Sequence, residues 1–209
     1  MRRRRTVALL LLLALAGLIP VARAATEAPN EALSEPPAAP PGFSWRVFDS
    51  IQATFLVPDG WFVKAETREG TRAVFITKES IEREGRFKTG LTVNVMRDAR
   101  PSAYAAAMMS RLQARASQAW AIRPVERGVF KGMAGRLRFT TPEGWSLIEE
   151  ALMLGNDATG ALYFLLFEAP EAEWAAAGSG LFEDMEGVPG STVHIGQTLF
   201  AHLALNPES

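Results

Sequence analysis

The sequence predicts an α+β fold in which one antiparallel sheet is flanked by two helices. Short segments rich in β-branched and aromatic residues occur in pairs separated by turn residues, which is typical of β-hairpins. Residues 163–167 are apolar on both faces, which indicates a central strand covered on both sides. Two proline-led segments, beginning at Pro101 and Pro170, repeat apolar residues at helical spacing. An antiparallel sheet with helices packed on it accommodates all three patterns.

Four strands are expected in the first half of the folded chain. Turn residues and alternating patterns place two short strands within residues 43–57 and one each at residues 72–78 and 90–96. The charged segment 79–88 is predicted to be a solvated connection, with Glu79, Glu82 and Glu84 as surface charges.

Two hairpins are expected in the second half. One covers residues 125–141, with Gly132 and Gly135 bracketing its turn. The other joins strands at residues 146–154 and 161–169 through the glycine-flanked polar turn between them.

Two helices are predicted from proline-led apolar stripes. The first begins at Pro101, and its stripe is expected to pack into the core through Tyr104, Met108 and Leu112. The second begins at Pro170, with a buried stripe formed by Trp174, Leu181, Phe182 and Met185. The tail repeats apolar residues at helical spacing, at Ile195, Leu199 and Leu203, but Gly196 and β-branched neighbours indicate a strand almost as strongly, so both stay open.

Residues 1–24 are typical of a secretory signal peptide. Four arginines precede an uncharged core rich in leucine and alanine, and Ala22 and Ala24 occupy the two small positions that a signal peptidase reads. Gly17 and Pro20 interrupt the apolar run, whereas a membrane span needs about 20 predominantly apolar residues. The sequence therefore predicts a periplasmic or secreted protein without a stable membrane anchor after cleavage.

The chain after this leader divides into two parts. Residues 25–42 are rich in proline and alanine and have little apolar surface to bury, so they predict a disordered tether. Residues 43–205 are predicted to form a single globular domain, since a domain usually has roughly 100 to 200 residues.

Charge and composition exclude several classes of function. Five of the 22 basic residues lie in the leader, whereas all 23 acidic residues follow it, so the exported chain is acidic. Basic residues supply most non-specific affinity for nucleic acids, so the sequence argues against a nucleic-acid binder. The chain has 0 cysteines, which excludes disulfides, thiolate metal sites and cysteine nucleophiles.

No recognised catalytic or cofactor motif occurs in the chain. His194 and His202 are eight residues apart, whereas a helical metal-binding pair of histidines needs a spacing of about four. Glu149 and Glu150 are adjacent, so in a strand they point to opposite faces and cannot act together directly. The sequence predicts no catalytic residue, no metal site and no cofactor.

Five residues are candidates for contact with a partner. Trp61 and Trp145 directly follow turns, and aromatic side chains anchor many recognition surfaces. Glu183, Asp184 and Glu186 cluster at the predicted end of the second helix, where the negative end of the helix dipole disfavours anions. This cluster indicates either a cation or basic partner, or a solvated acidic surface.

The two tryptophans also end two copies of one pattern, Phe-x-x-Pro-acid-Gly-Trp, at residues 55–61 and 139–145. Each copy precedes a predicted hairpin and then a predicted helix. The copies indicate either an ancient duplication or two strands that end in the same turn chemistry.

In these features the chain resembles the PsbP-like proteins, a superfamily named for an extrinsic subunit of photosystem II that also holds a Ran-binding nuclear transport factor and bacterial periplasmic members. The likeness is carried by the pattern at residues 55–61, the strand at residues 87–96, the Pro101 helix and the closing order of hairpin, strand and helix up to Met185. The resemblance implies an α/β/α sandwich with a curved antiparallel sheet and helices on both faces. It also implies binding or assembly roles without catalysis. The metal-binding histidines of the photosynthetic members have no counterpart here, so neither their metal nor their photosystem role is carried over.

The sequence and the resemblance together predict an exported, non-catalytic binding or accessory module of the bacterial cell envelope, with an envelope protein as its partner. The alternative is a periplasmic hydrolase that uses carboxylates brought together by the fold from distant segments. Convergence of Glu149, Glu150 or other acids in a closed pocket would favour the hydrolase.

Overall fold

The structure is a computed structural model that describes residues 37–84, 86–141, 143–175 and 191–208. Within these residues the strands are β1 (Phe43–Phe48), β2 (Ala53–Pro58), β3 (Phe62–Arg68), β4 (Thr71–Thr77), β5 (Gly90–Arg97), β6 (Gln118–Arg127), β7 (Phe130–Thr140), β8 (Ser146–Asn156), β9 (Ala161–Pro170) and β10 (Ala204–Leu205). The helices are α1 (Ile81–Glu84), α2 (Pro101–Arg115), α3 (Glu171–Ala175) and α4 (Thr192–Ala201), with a 3-10 turn at Asp49–Ile51. Antiparallel strands with a few helices confirm the α+β class.

The described strands form two antiparallel sheets. The large sheet has seven strands in the order β3-β4-β5-β9-β8-β7-β6, and the small sheet has three in the order β1-β2-β10. β9 lies at the centre of the large sheet, which confirms the prediction for residues 163–167. The prediction of a single sheet is wrong, because β1 and β2 pair with β10 instead. β2 is buried almost throughout, and its apolar pattern does not reveal which sheet it joins.

Apolar clusters cover both faces of the large sheet. On one face, Ala105 and Met109 of α2 pack against strand residues that include Leu137. This group is termed the α2 cluster. On the other face, Phe167 of β9 packs with Trp174 of α3 and with residues of the small sheet and α4. This group is termed the large cluster.

Gly132 and Gly135 lie inside β7, so their predicted place at a hairpin turn is wrong. The turn between β6 and β7 is at Gly128, which has a left-handed φ of 58°. A Cβ atom on Gly132 would lie 1.7 Å from the carbonyl oxygen of Met153, and one on Gly135 would lie 2.2 Å from the end of the Ile122 side chain. Close packing on β7, not a turn, therefore requires these glycines.

The segment between β4 and β5 is more ordered than a solvated connection. It contains α1, and Ser80 is buried. The carboxylate of Glu79 accepts hydrogen bonds from the backbone N–H groups of Lys88 (3.0 Å) and Thr89 (3.2 Å). Glu79 is therefore a structural residue, which corrects its prediction as a surface charge.

The two helices of ten residues or more differ in how well the sequence predicts them. In α2 the fully buried stripe is Ala105 and Met109, and the predicted stripe at Tyr104, Met108 and Leu112 borders it. The tail forms α4, whose first turn is capped because the Ser191 hydroxyl oxygen accepts from the His194 N–H at 3.2 Å. Trp174 is buried as predicted. The other members of the predicted second stripe lie outside the described residues: Leu181, Phe182 and Met185.

The last residues of the predicted tether contact the domain. The Pro37 carbonyl accepts a hydrogen bond from the indole N–H of Trp45 at 2.6 Å, and Ala39 packs against the large cluster. Residues 1–36, which hold the predicted signal peptide and most of the tether, lie outside the described residues. In the part of the chain that the structure describes, no helix is both long and apolar enough to cross a bilayer.

Replacing Tyr163 with phenylalanine is expected to lower the free energy of unfolding by about 1 to 3 kcal/mol, because a buried carbonyl loses its donor. The Tyr163 hydroxyl donates to the Ile51 carbonyl at 2.9 Å and so joins the large sheet to the turn of the small sheet. Chemical denaturation measures the loss. Tyr104→Phe, at a partly buried position on α2, is the control, and an equal loss in both variants would contradict the role of the hydroxyl.

Candidate functional site

Two glutamates meet across the central strands of the large sheet. Glu149 of β8 and Glu168 of β9 are direct partners in the antiparallel register. Directly opposed residues point to the same face, with Cβ atoms about 4.5 to 5.5 Å apart. Both side chains are partly buried. The fold thus brings together two carboxyl groups that are 19 residues apart in the chain.

This carboxyl pair lies on the face that α2 covers, beside the end of that helix. Leu137, a member of the α2 cluster, is opposite Glu149 on β7. Gly90 is opposite Glu168 on β5 and adds no side chain to this row. The last residue of α2, Arg115, acts electrostatically on Glu149. The pair therefore has mainly apolar neighbours in its own row.

The surroundings favour the protonated form of both carboxyl groups. Burial raises the pKa of Glu149 from its ordinary 4.5 to about 7, although the charge of Arg115 opposes this shift. Burial, followed by the negative charge of Glu149, raises the pKa of Glu168 to about 7. Among the described residues, neither carboxylate forms an ion pair with a basic side chain. When both carboxyl groups are ionised, little positive charge among the described residues offsets the repulsion between them.

Glu150 lies on the opposite face, as its position next to Glu149 predicts. Its carboxylate is 3.5 Å from the guanidinium of Arg136, which faces it on β7. The same guanidinium lies 5.2 Å from the centre of the Trp174 ring, a cation–π distance. Burial raises the pKa of Glu150, while Arg136 and then Arg123 lower it. Glu150 is part of a partly buried ion pair and does not act together with Glu149.

Exposed aromatic side chains lie at the same end of the large sheet as the carboxyl pair. Phe62 begins β3 and is 39% exposed, and Trp145 immediately precedes β8 and is 38% exposed. The guanidinium of Arg83 lies 5.2 Å from the centre of the Phe62 ring. We term this region, defined by Phe62, Trp145, Glu149 and Glu168, the acidic-aromatic end.

A weak ion pair connects the loops at this end. Arg86, from the segment after α1, lies 4.0 Å from Glu143, in the turn that precedes Trp145. Both side chains are exposed, so the pair contributes about 0 to 1 kcal/mol at most. It nevertheless shows that the loop before β5 approaches the turn between β7 and β8.

The predicted contact residues fall in three different settings. Trp145 is exposed, whereas Trp61 is partly buried and packs against the large cluster. The acidic cluster lies outside the described residues: Glu183, Asp184 and Glu186.

The two copies of the Phe-x-x-Pro-acid-Gly-Trp pattern share their turn chemistry. Gly60 and Gly144 both have left-handed φ angles, of 78° and 85°.

Sequence reasoning missed Glu168 as the partner of Glu149. The signal was present in the predicted turn, because Asn156 pairs with Ala161 at its base. Counting outward from that pair in antiparallel register places Glu149 opposite Glu168. Adjacency in the sequence relates Glu149 to Glu150, whereas the register of the hairpin relates it to Glu168.

The carboxyl pair lies outside the cavity that the structure shows at the other end of the large sheet. That cavity has a volume of about 280 Å³ and lies between the β6–β7 turn and the C-terminal segment, where it is lined by Arg127, Val129, Phe130, Leu203 and Leu205, among others. Within the described ranges, no three histidine, aspartate or glutamate side chains are grouped so as to hold a metal ion.

Comparisons with known proteins place the chain by fold alone. No protein-family model matches it, and no curated protein sequence matches it. The solved structures similar to it include the Ran-binding protein Mog1p from Saccharomyces cerevisiae, with 12% identity, a TM-score of 0.44, and coverage of 78% of this chain and 95% of that protein. They also include the cyanobacterial PsbP of Synechocystis sp. PCC 6803, with 10% identity, a TM-score of 0.43, and coverage of 81% of this chain and 96% of that protein. A Ran-binding protein and a cyanobacterial PsbP are thus among the solved structures similar to this chain.

Proposed function

We propose that this chain is an exported, non-catalytic binding or accessory module of the bacterial cell envelope, and that it contacts a protein partner through the acidic-aromatic end. We also propose that the chain has the α/β/α sandwich, with helices on both faces of the sheet, that the family resemblance implies. The observation that carries it is the exposed Trp145 at the end of the sheet where Glu149 and Glu168 lack a basic partner among the described residues.

The chemistry of this end fits a partner segment that carries both apolar and basic side chains. Trp145 and Phe62 expose aromatic surface, which is costly in water and dominates many protein–protein contacts. A lysine or arginine from the partner would supply the positive charge that the carboxyl pair lacks, and it would favour the ionised carboxylates. An end of the sheet that carries both exposed aromatic surface and carboxyl groups without a basic partner among the described residues thus matches a basic, partly apolar protein surface.

Site-specific photo-crosslinking in the native envelope tests this proposal. A photoreactive amino acid replaces Trp145 in one variant and Val129 in a control variant. Val129 is 52% exposed but lies in the β6–β7 turn at the opposite end of the large sheet. We expect a discrete crosslinked partner from position 145 and none from position 129. Equal crosslinking from both positions would count against this surface.

Affinity for the crosslinked partner, once purified, gives the quantitative check. Trp145→Ala is expected to weaken binding by about 1 to 3 kcal/mol, the size of a modest hot spot. Val129→Ala is the matched control and should bind like the wild type. Unchanged affinity in Trp145→Ala would remove the central support for the proposal.

The carboxyl pair favours a second candidate, a hydrolase. Glycoside hydrolases use two carboxyl groups, one protonated and one ionised, and retaining enzymes hold them about 5 to 5.5 Å apart. The pKa values of about 7 for Glu149 and Glu168 are compatible with such a division of roles near neutral pH. This candidate ranks second because both carboxyl groups are partly buried on the face that α2 covers, which limits the access of a substrate.

A panel of glycoside and ester substrates separates the two candidates. Turnover that disappears in both Glu149→Gln and Glu168→Gln, while each variant keeps its circular dichroism spectrum, would establish the hydrolase. Turnover that persists in both variants would point to a contaminating enzyme. Absence of turnover across the panel, together with a crosslinked partner, is the result expected for a binding module.

A further inference from the structure

We propose that Glu149 and Glu168 form a pH-sensitive switch, in which protonation of the two carboxyl groups stabilises this end of the large sheet and loss of these protons loosens the pairing of β8 with β9. The proposal concerns the stability of the fold, and it holds whether or not a partner binds at the acidic-aromatic end.

The geometry places the two carboxyl groups within reach of each other, and the charge of Glu149 acts on Glu168. They occupy directly opposed positions in a continuous ladder that runs from Leu147 and Pro170 to Asn156 and Ala161. Their Cβ atoms are therefore held about 4.5 to 5.5 Å apart by the backbone, and like charges in such positions are destabilising. Protonation of either group removes this repulsion. Because the ladder fixes the backbone positions, repulsion between the two ionised groups acts against the pairing of β8 with β9.

The groups that face the pair do not neutralise it. From the neighbouring strands, β7 presents Leu137 and β5 presents Gly90, neither of which is charged. From α2, the charge of Arg115 acts on Glu149, and Arg115 itself is exposed. From the segment before β5, the ring of Phe87 lies over Gly90.

The other charged side chains near this end have other partners, are exposed or lie on the opposite face. Arg86 pairs with Glu143, and the carboxylate of Glu79 accepts from the Lys88 and Thr89 backbone. Lys88 is exposed. Glu171 and Glu173 belong to α3, whose Trp174 packs on the opposite face of the sheet. Arg115 is thus the one basic group in the described residues that is shown to act on the pair.

The direction of the pH effect follows from the raised pKa values. In the unfolded chain both carboxyl groups lose their protons near the ordinary pKa of 4.5, whereas in the folded chain they retain them until about pH 7. Between these values the folded state binds more protons than the unfolded state, so stability falls as pH rises. The stabilising contribution is complete below about pH 4.5 and is lost as pH passes 7.

Thermal melts of the full chain at pH 5 and pH 8.5 test the proposal. At pH 5 we expect Glu168→Gln to melt close to the wild type, because its amide mimics the protonated carboxyl group. At pH 8.5 the variant should melt about 5 °C above the wild type. Glu149→Gln should behave in the same way, and Glu82→Gln, at an exposed position on α1, should follow the wild type at both values. Parallel melting of Glu168→Gln and wild type at both pH values would overturn the proposal.

Two measurements on the wild type keep the test independent of how the variants fold. Hydrogen exchange, corrected for its intrinsic pH dependence, should show protection at residues 147–150 and 167–169 falling above pH 7, while residues 153–156 stay protected. Carboxyl carbon NMR should show both glutamates titrating well above 4.5, their ordinary value. Titration of both groups near that value, or uniform exchange along the β8–β9 ladder, would overturn the switch.

Discussion

Replacing Arg136 with methionine is expected to lower the free energy of unfolding by about 3 kcal/mol, the lower end of the usual cost of removing one partner from a buried ion pair, since this pair is only partly buried. Arg136 is 13% exposed and Glu150 is 25% exposed, so the remaining carboxylate would be left with little access to water. Methionine keeps most of the aliphatic stem against Trp174 but removes the charge. Urea denaturation at pH 8 measures the loss.

The dependence of this loss on pH identifies its cause. Arg136 lowers the pKa of Glu150 against the effect of burial, so its removal should raise that pKa further. The variant should therefore recover stability relative to wild type as pH falls and Glu150 becomes neutral. Lys131→Met is the matched control, since Lys131 lies on the same strand and its exposed pair with Glu126 spans 3.9 Å. A loss in Arg136→Met that is the same at pH 5 and pH 8 would mean that packing, not charge, is responsible.

A single methyl group at Gly132 is expected to disrupt the large sheet. The added Cβ would lie 1.7 Å from the Met153 carbonyl oxygen, and the obstructing atoms belong to the backbone of β8. Relief of this clash requires β7 and β8 to separate, so Gly132→Ala should lose at least about 3 kcal/mol, the upper part of the range for overpacked sites. Thermal denaturation and soluble yield measure the effect.

Gly135→Ala is the matched control for this substitution. It adds the same methyl group to the same strand, where the Cβ would lie 2.2 Å from the end of the flexible Ile122 side chain. That side chain can move to another rotamer, so the loss should be clearly smaller than for Gly132→Ala. Similar losses in the two variants would show that strand propensity, rather than contact with β8, decides the effect.

Local patterns in the sequence predicted most of the strands but not their partners. The alternation at residues 72–78 and the two-sided apolar run at residues 163–167 correspond to β4 and to the centre of β9. The pairing of β1 and β2 with β10 depends on contacts between distant segments, which no local pattern records. For the same reason Gly132 was assigned to a turn, because its close approach to Met153 appears only when β8 is in place.

The candidate site was partly predictable. Trp145 follows a turn and is exposed, as the proline-acid-glycine pattern indicates. The pairing of Glu168 with Glu149 follows from the register of the β8–β9 hairpin. That register can be obtained from the sequence by counting outward from the turn. The raised pKa values of Glu149 and Glu168 have burial as their main cause, and burial is a property of the whole fold that single-residue patterns do not give.

The order of strands in the large sheet has a consequence for how the chain folds. β3, β4 and β5 pair only with neighbours in sequence, and so do β6, β7, β8 and β9, apart from one seam where β5 meets β9. Each half can therefore form as a local meander, whereas the seam closes a loop that includes α2 and most of the second half. Non-local pairing of this kind slows folding, because loop-closure entropy is lost before the contacts form. We expect the rate-limiting step to be the docking of the two meanders along β5 and β9.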